Sequence, residues 1–176
     1  MLEYFNLMKK TECDICQHLE TLKNYAVECD HITELGMRWG TSTVALAAGI
    51  PVKLVSYDIN RDNNAIKRVS DFAIENNFEF KFIQANVLNI DIEETDLLFI
   101  DTYHTGTQLN LELKKHANKA KKYIIFHDTE TFGKIGEDNV YPGLVPVIEE
   151  FLSNNKQWKL KEIFKNNNGL TIIERN

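Results

Sequence analysis

The chain is poor in the residues that interrupt regular structure, with 3 prolines and 8 glycines among 176 residues. That scarcity excludes a flexible linker or low-complexity tract, and with this length it points to one domain. Cysteine is scarce too: 3 residues cannot all pair within one chain, which excludes a disulfide scaffold. No run approaches the ~18 apolar residues of a membrane span, and the opening "MLEYFNLMKKTEC" lacks the layout of a signal peptide. The expectation is a cytoplasmic chain with reduced thiols and no membrane partner. Positive charge is not in excess either, since 26 acidic residues against 20 Lys and Arg leave a net charge of −6. Nucleic-acid binding normally needs a basic stripe, so nucleic acid is not an expected partner. The clearest basic cluster, "KKHANKAKK" (114–122), reads as the solvated face of a helix.

What is present is a core: 43% of residues are hydrophobic and 10% aromatic, enough for a globular fold. "CDICQH" (13–18) and "CDH" (29–31) contain zinc-type residues. However, "DICQHLETLKNYA" spaces Ile15, Leu19, Leu22 and Ala26 as a helical stripe. This reading places the cysteines near a helix start and His31 at the start of a strand.

Short apolar runs alternate with longer polar-periodic segments. The runs predict strands at 31–36, 54–58, 80–86, 96–101 and 123–128, then at 158–164 and 170–175. The first, fourth and fifth are nearly continuous hydrophobics, as in a parallel sheet covered on both faces. The last two are separated only by "KNNNG", so they should pair antiparallel. Helices are expected in "TSTVALAAG", in "RDNNAIKRVSDFAIENN" with Ile66, Val69, Ala73 and Ile74 on one stripe, in "GTQLNLELKKHANKA" and in "PGLVPVIEEFLSNN". The sum is an α/β fold: a doubly wound, mostly parallel seven-stranded sheet with an antiparallel C-terminal hairpin.

Ligands of such sheets bind outside the carboxyl ends of the strands. The residues there are Glu34 to Gly36, Asp58, Asn86, Asp101 and Asp128. In "ITELGMRWGTSTVALA" an acid, Gly36, Gly40 and Ser42 join a strand to a helix start. Glycines let backbone approach a ligand, and helix amides donate to it. Asp58 ends the next strand, about twenty residues on, where an acid can accept from both ribose hydroxyls. "GMRWG" is not G-x-G-x-x-G, and its spacing favours a ligand without a pyrophosphate.

"ELGxxxGxS" and its setting resemble the class I S-adenosylmethionine-dependent methyltransferases, within them the catechol O-methyltransferase-like branch. The likeness extends to the cephalosporin-hydroxylase-like and macrolide-sugar O-methyltransferase groups, which share a divalent metal site. It implies one S-adenosylmethionine-binding domain over residues 1–176, with residues 1–30 as an N-terminal helical segment. Glu34, Gly36, Gly40 and Ser42 would line the methionine half of the cofactor, Asp58 the ribose, and Gln84 to Asn86 the adenine. Asp101 and Asp128 would hold a divalent metal, Mg²⁺ above all by the resemblance, since hard Mg²⁺ prefers oxygen ligands. His127 departs from the pattern: it is a ligand of a softer metal, or a neighbour of the ligands, or its place is taken by Thr129. His104 completes a D-x-x-H arrangement with Asp101 and resembles the general base.

The loop 129–143 follows the fifth strand, and Tyr103, Phe132 and Tyr141 can wall a ring-shaped acceptor. The short chain leaves little else for a lid, so a homo-oligomer is expected to complete the pocket. The function implied is metal-assisted O-methyl transfer to a hydroxyl of a sugar or other small molecule. Open alternatives are a metal-independent methyltransferase of the same fold, a catalytically silent cofactor-binding module, and a hydroxylase-like use of the scaffold.

Overall fold

The computed structural model describes residues 1–176. Helices α1 (Leu2–Met8) and α2 (Leu19–Val27) lead into strand β1 (His31–Leu35). Then follow α3 (Thr41–Ala47), β2 (Lys53–Asp58), α4 (Asn63–Asn76), β3 (Glu79–Gln84) and β4 (Thr95–Ile100). The chain closes with α5 (Gly106–His116), β5 (Ala120–His127), α6 (Leu144–Asn154), β6 (Trp158–Phe164) and β7 (Leu170–Arg175). One seven-stranded sheet results, in the order β3-β2-β1-β4-β5-β7-β6. The pairs among β1 to β5 are parallel, and β7 is antiparallel to both β5 and β6. This is the doubly wound sheet with a closing hairpin that the hydrophobic pattern predicts.

Side-chain alternation splits the core into two layers. Leu97 and Phe99 of β4 face one layer, built with α1 to α4; Leu98 and Ile100 face the other, built with α5 and α6. All four are at most 4% exposed, so β4 is apolar on both faces because both are covered. Helix α4 is capped by Asp62, whose carboxylate accepts from the Asn64 and Ala65 amides, and ends on Asn77 in the left-handed region. Its buried stripe is Ala65, Val69, Phe72 and Ala73, whereas Ile74 is 79% exposed. The expected place of Ile74 on the stripe does not hold, because one residue past Ala73 turns the side chain about 100° around the helix.

Two further expectations are corrected. "KKHANKAKK" is not one solvated helix face: α5 ends at His116, a 3₁₀ turn spans Ala117–Lys119, and Ala120 begins β5. His116, Ala117 and Ala120 are buried, and the His116 imidazole bonds the Val87 carbonyl at 2.9 Å, so the lysines and Asn118 of this stretch meet water while the rest is covered. The thiols are not all reduced. A bend at Asp14–Ile15, just before a 3₁₀ turn at Cys16–His18, leaves the Cα atoms of Cys13 and Cys16 5.3 Å apart, inside disulfide reach, and the two are bonded. Cys29 is free and buried. No helix is long and apolar enough to cross a membrane.

Register decides what meets at the carboxyl edge. Leu35, Tyr57, Ile100 and Phe126 stand in one row across β2, β1, β4 and β5. The residues that follow them, Gly36, Asp58, Asp101 and His127, therefore lie side by side where the strand order reverses between β1 and β4.

Candidate active site

Gly36 takes φ +95°, and a Cβ on it would lie 1.9 Å from the Asp101 carbonyl oxygen. The Asp101 amide in turn donates to the Leu35 carbonyl at 2.9 Å, so the exits of β1 and β4 are in direct backbone contact. Only glycine satisfies both the conformation and the approach. Under this junction Glu34 is fully buried. Its carboxylate accepts from Ser42 Oγ at 2.6 Å, Thr43 Oγ1 at 2.7 Å and Ser56 Oγ at 2.5 Å. Burial pushes its pKa up to about 7 against the pull of these hydroxyls. Glu34 thus ties β1 to β2 and to the first turn of α3.

A cleft of about 540 Å³ opens above these strand ends, a size suited to a small-molecule ligand. Of the residues singled out from the sequence, Gly36, Ser42, Asp58, Asn86, Asp101 and His104 line it. Glu34, Gly40, Gln84, His127 and Asp128 lie outside the lining. Gly40, at φ +76°, caps α3, and Gln84 donates its amide to the Ile59 carbonyl at 3.0 Å. Asp58 accepts from the Arg38 amide at 2.7 Å and the Asn60 amide at 2.8 Å, one on each oxygen. Each oxygen keeps one lone pair for a ligand. Asn86 caps the 3₁₀ turn Val87–Asn89 through its side-chain oxygen.

Two acids and two histidines converge here: Asp101 and His104 line the cleft, and the buried Asp128 and His127 stand behind them. His104 Nε2 lies 3.2 Å from Asp101 Oδ1 and 2.9 Å from Asp128 Oδ2. His127 Nδ1 lies 3.4 Å and 3.1 Å from the same two oxygens, and its Nε2 is 3.1 Å from the Asp14 carbonyl. Asp128 is buried in a left-handed conformation, φ 60°, an unusual geometry for a residue with a Cβ. The His104 ring stacks on Phe132 with centroids 5.0 Å apart, and its Nδ1 is 2.9 Å from Glu137 Oε2. Burial opposes charge on both imidazoles, but the bonds to Asp101 and Asp128 outweigh it and push each pKa up to about 10. Burial likewise opposes ionisation of the acids, yet the two histidines hold both carboxyls below their usual range. Without a cation the cluster is thus two imidazoliums against two carboxylates.

The donor set fits a divalent cation. Asp101, His104 and Asp128 each offer a ligand atom, all within 4.8 Å of one another. Asp128 Oδ1 is buried without a hydrogen-bond partner, as a ligand atom would be. His104, expected as a base, is thereby also a candidate ligand, while His127 faces the same carboxylates from the interior. Two carboxylates and an imidazole suit Mn²⁺, Fe²⁺ or Zn²⁺ at least as well as Mg²⁺.

Sequence reasoning missed three participants. Glu137 sits in a loop without periodicity, and its contact with His104 is purely spatial. Asp14 lines the cleft between two cysteines, a position with no local signal. Glu112 is fully buried beneath the loop after β4 and accepts from Thr102 Oγ1 at 2.6 Å and Gln108 Nε2 at 2.7 Å. Burial pushes its pKa up to about 7. Its one sequence signal is an acid on the apolar side of a helix. Of the expected acceptor aromatics, Tyr103 lines the cleft, Phe132 supports His104, and Tyr141 is 64% exposed outside the lining.

No protein-family profile matches the sequence, and no curated protein matches it. Solved structures do. A Staphylococcus aureus protein provisionally assigned as a caffeoyl-CoA O-methyltransferase aligns with a TM-score of 0.67 at 16% identity, covering 99% of this chain and 90% of that one. An O-methyltransferase of tomaymycin synthesis from Streptomyces achromogenes, solved with S-adenosylmethionine, gives 0.63 at 14% identity over 92% and 80%. An O-methyltransferase from Bacillus cereus with S-adenosylhomocysteine gives 0.60 at 16% over 91% and 81%. At such identities the shared property is architecture: this chain has the Rossmann-like fold of the class I methyltransferases.

Proposed function

We propose that this protein is an S-adenosylmethionine-dependent O-methyltransferase that modifies a hydroxyl of a sugar or another small molecule with the help of a divalent cation. One observation carries the reading: Asp101 and His104 open into the same cleft as Gly36, Ser42, Asp58 and Asn86. A cofactor-type wall and an acid–histidine cluster therefore share one cavity, as transfer between two bound molecules requires. The fold likeness to methyltransferases solved with the cofactor or its product supports the cofactor assignment.

The cofactor supplies a sulfonium methyl group, and a cation at the acids supplies positive charge that favours ionisation of a nearby hydroxyl. Asp58 offers its remaining lone pairs to the ribose hydroxyls. Gly36 lets the β1 exit pass close by, and Ser42 and Asn86 line the cleft with it. Asp101 and Asp128 would hold the cation, and with His127, whose Nδ1 faces the same two oxygens, completing the set, His104 Nε2 stays free to act as a base. His104 receives the acceptor's proton at Nε2 while Nδ1–H is donated to Glu137, a tautomer that aims the lone pair at the acids. It can serve as a base at neutral pH only where the charge of Asp101 and Asp128 is neutralised by something other than its own proton.

Calorimetry with S-adenosylhomocysteine, with and without divalent ions, followed by methyl transfer to a panel of hydroxyl acceptors, tests this. Binding of S-adenosylhomocysteine with cation-dependent turnover is expected. Turnover that survives chelation, Asp101→Asn and Asp128→Asn removes the metal; absence of binding removes the cofactor.

A further inference from the structure

The Cys13–Cys16 disulfide encloses two residues, Asp14 and Ile15, and both lie on the wall of the cleft. Asp14 is tied to the site twice. Its carboxylate pairs with Arg38 at 2.7 Å, and the Arg38 guanidinium lies 3.9 Å from the Trp39 ring. Its carbonyl accepts from His127 Nε2 at 3.1 Å. Arg38 and Trp39 also line the cleft, and the Arg38 amide donates to Asp58. Asp14 therefore bridges the loop after β1 to the histidine at the end of β5.

The flanks of this segment are anchored elsewhere. Asn167 donates to the Cys13 carbonyl and accepts from the Gln17 amide at 2.7 Å, and His18 Nε2 donates to the Asn166 carbonyl at 3.0 Å. A cross-link across so short a loop restricts the unfolded chain little, so global stabilisation is a weak reason for it. What it does is local: it fixes the backbone of Asp14 and Ile15 over the cleft. The two sulfurs differ in access, Cys13 being half-buried and Cys16 2% exposed.

We propose that Cys13–Cys16 is a reversible thiol–disulfide site, reduced by a dithiol, whose state sets how firmly Asp14 closes the cleft. A reductant thiolate attacks Cys13 Sγ, the Cys13–Cys16 bond breaks, and Cys16 leaves as thiolate and takes up a proton. The second thiol of the reductant then displaces Cys13, so two electrons and two protons pass to the protein and the reductant becomes a disulfide. With the cross-link gone, Asp14 and Ile15 regain backbone freedom, and the contacts to Arg38 and His127 must be formed from a looser ensemble.

The test compares oxidised protein, protein reduced with dithiothreitol, and Cys13→Ser, which carries no cross-link and leaves the buried Cys16 in place. The first readout needs no ligand. Trp39 is 61% exposed beside Arg38, and the other tryptophan, Trp158, is 4% exposed and distant, so Trp39→Phe assigns the emission change. Reduction and Cys13→Ser should shift Trp39 emission alike, and reoxidation should restore it only in the wild type. The second readout, calorimetry with S-adenosylhomocysteine, rests on the function proposed above. If the closed wall is populated about a tenth of the time after reduction, affinity falls about tenfold. Identical Trp39 emission in both redox states overturns the proposal, as does a disulfide that dithiothreitol cannot open in the folded protein. A Trp39 shift without S-adenosylhomocysteine binding in either state upholds the redox site and removes the cofactor reading instead.

Discussion

Glu137 holds His104 by two bonds at once: its Oε2 lies 2.9 Å from the His104 Nδ1, and its amide donates to the His104 carbonyl at 2.9 Å. With Phe132 stacked on the ring, the imidazole has one open edge, Nε2, which faces Asp101 and Asp128.

Removing that anchor should affect turnover and spare the cofactor. Glu137→Gln is expected to lower kcat by about tenfold or more, as outer partners of ligating or catalytic histidines do. His104→Ala should cost about 10²-fold or more. S-adenosylhomocysteine affinity should stay unchanged in both, which calorimetry on the same preparations can check.

In protein stripped of divalent ions, His104 and His127 are held protonated to about pH 10, against the usual 6.5. Between those values the folded chain keeps protons that the unfolded chain has lost, so the stability from these bonds is complete below 6.5 and falls as pH rises toward 10. Asp128→Asn removes one carboxylate and should move both imidazole titrations down, which NMR of the ring protons reads directly.

Glu34 provides a second pH window. Its pKa is about 7 in the fold against 4.5 unperturbed, so its contribution is complete below 4.5 and is lost as pH rises through 7. Glu34→Gln should flatten the stability profile over that interval, measured by urea unfolding at a series of pH values. Glu34→Ala strands three buried hydroxyls and should cost about 3 kcal/mol or more.

Gly36→Ala places a methyl group where the Asp101 carbonyl already stands and demands a left-handed alanine. A loss of about 3 kcal/mol or more is expected, together with loss of S-adenosylhomocysteine binding. A thermal shift near zero would mean that the exits of β1 and β4 are not packed this closely.

Periodicity and boundary residues alone determined most of the architecture. The β6 and β7 runs fall on the strands they predict, 158–164 and 170–175. The apolar run in β4 announces a strand covered on both faces, because each residue type reports how its own position is solvated. Asp101 and His104 were legible as a pair because they are three residues apart on one strand exit, and Asp128 joined them through the rule that neighbouring parallel strands end together. The tertiary structure alone decided the rest. That Glu34 serves hydroxyls rather than the cleft, that Ile74 faces water, that Glu137 reaches His104 and that Asp14 meets His127 depend on distances between segments far apart in the chain. Local pattern encodes burial and turn propensity, but it carries no record of which loops come within hydrogen-bond reach. Packing supplies that information, and the candidate site with the Cys13–Cys16 cross-link beside it is built from it.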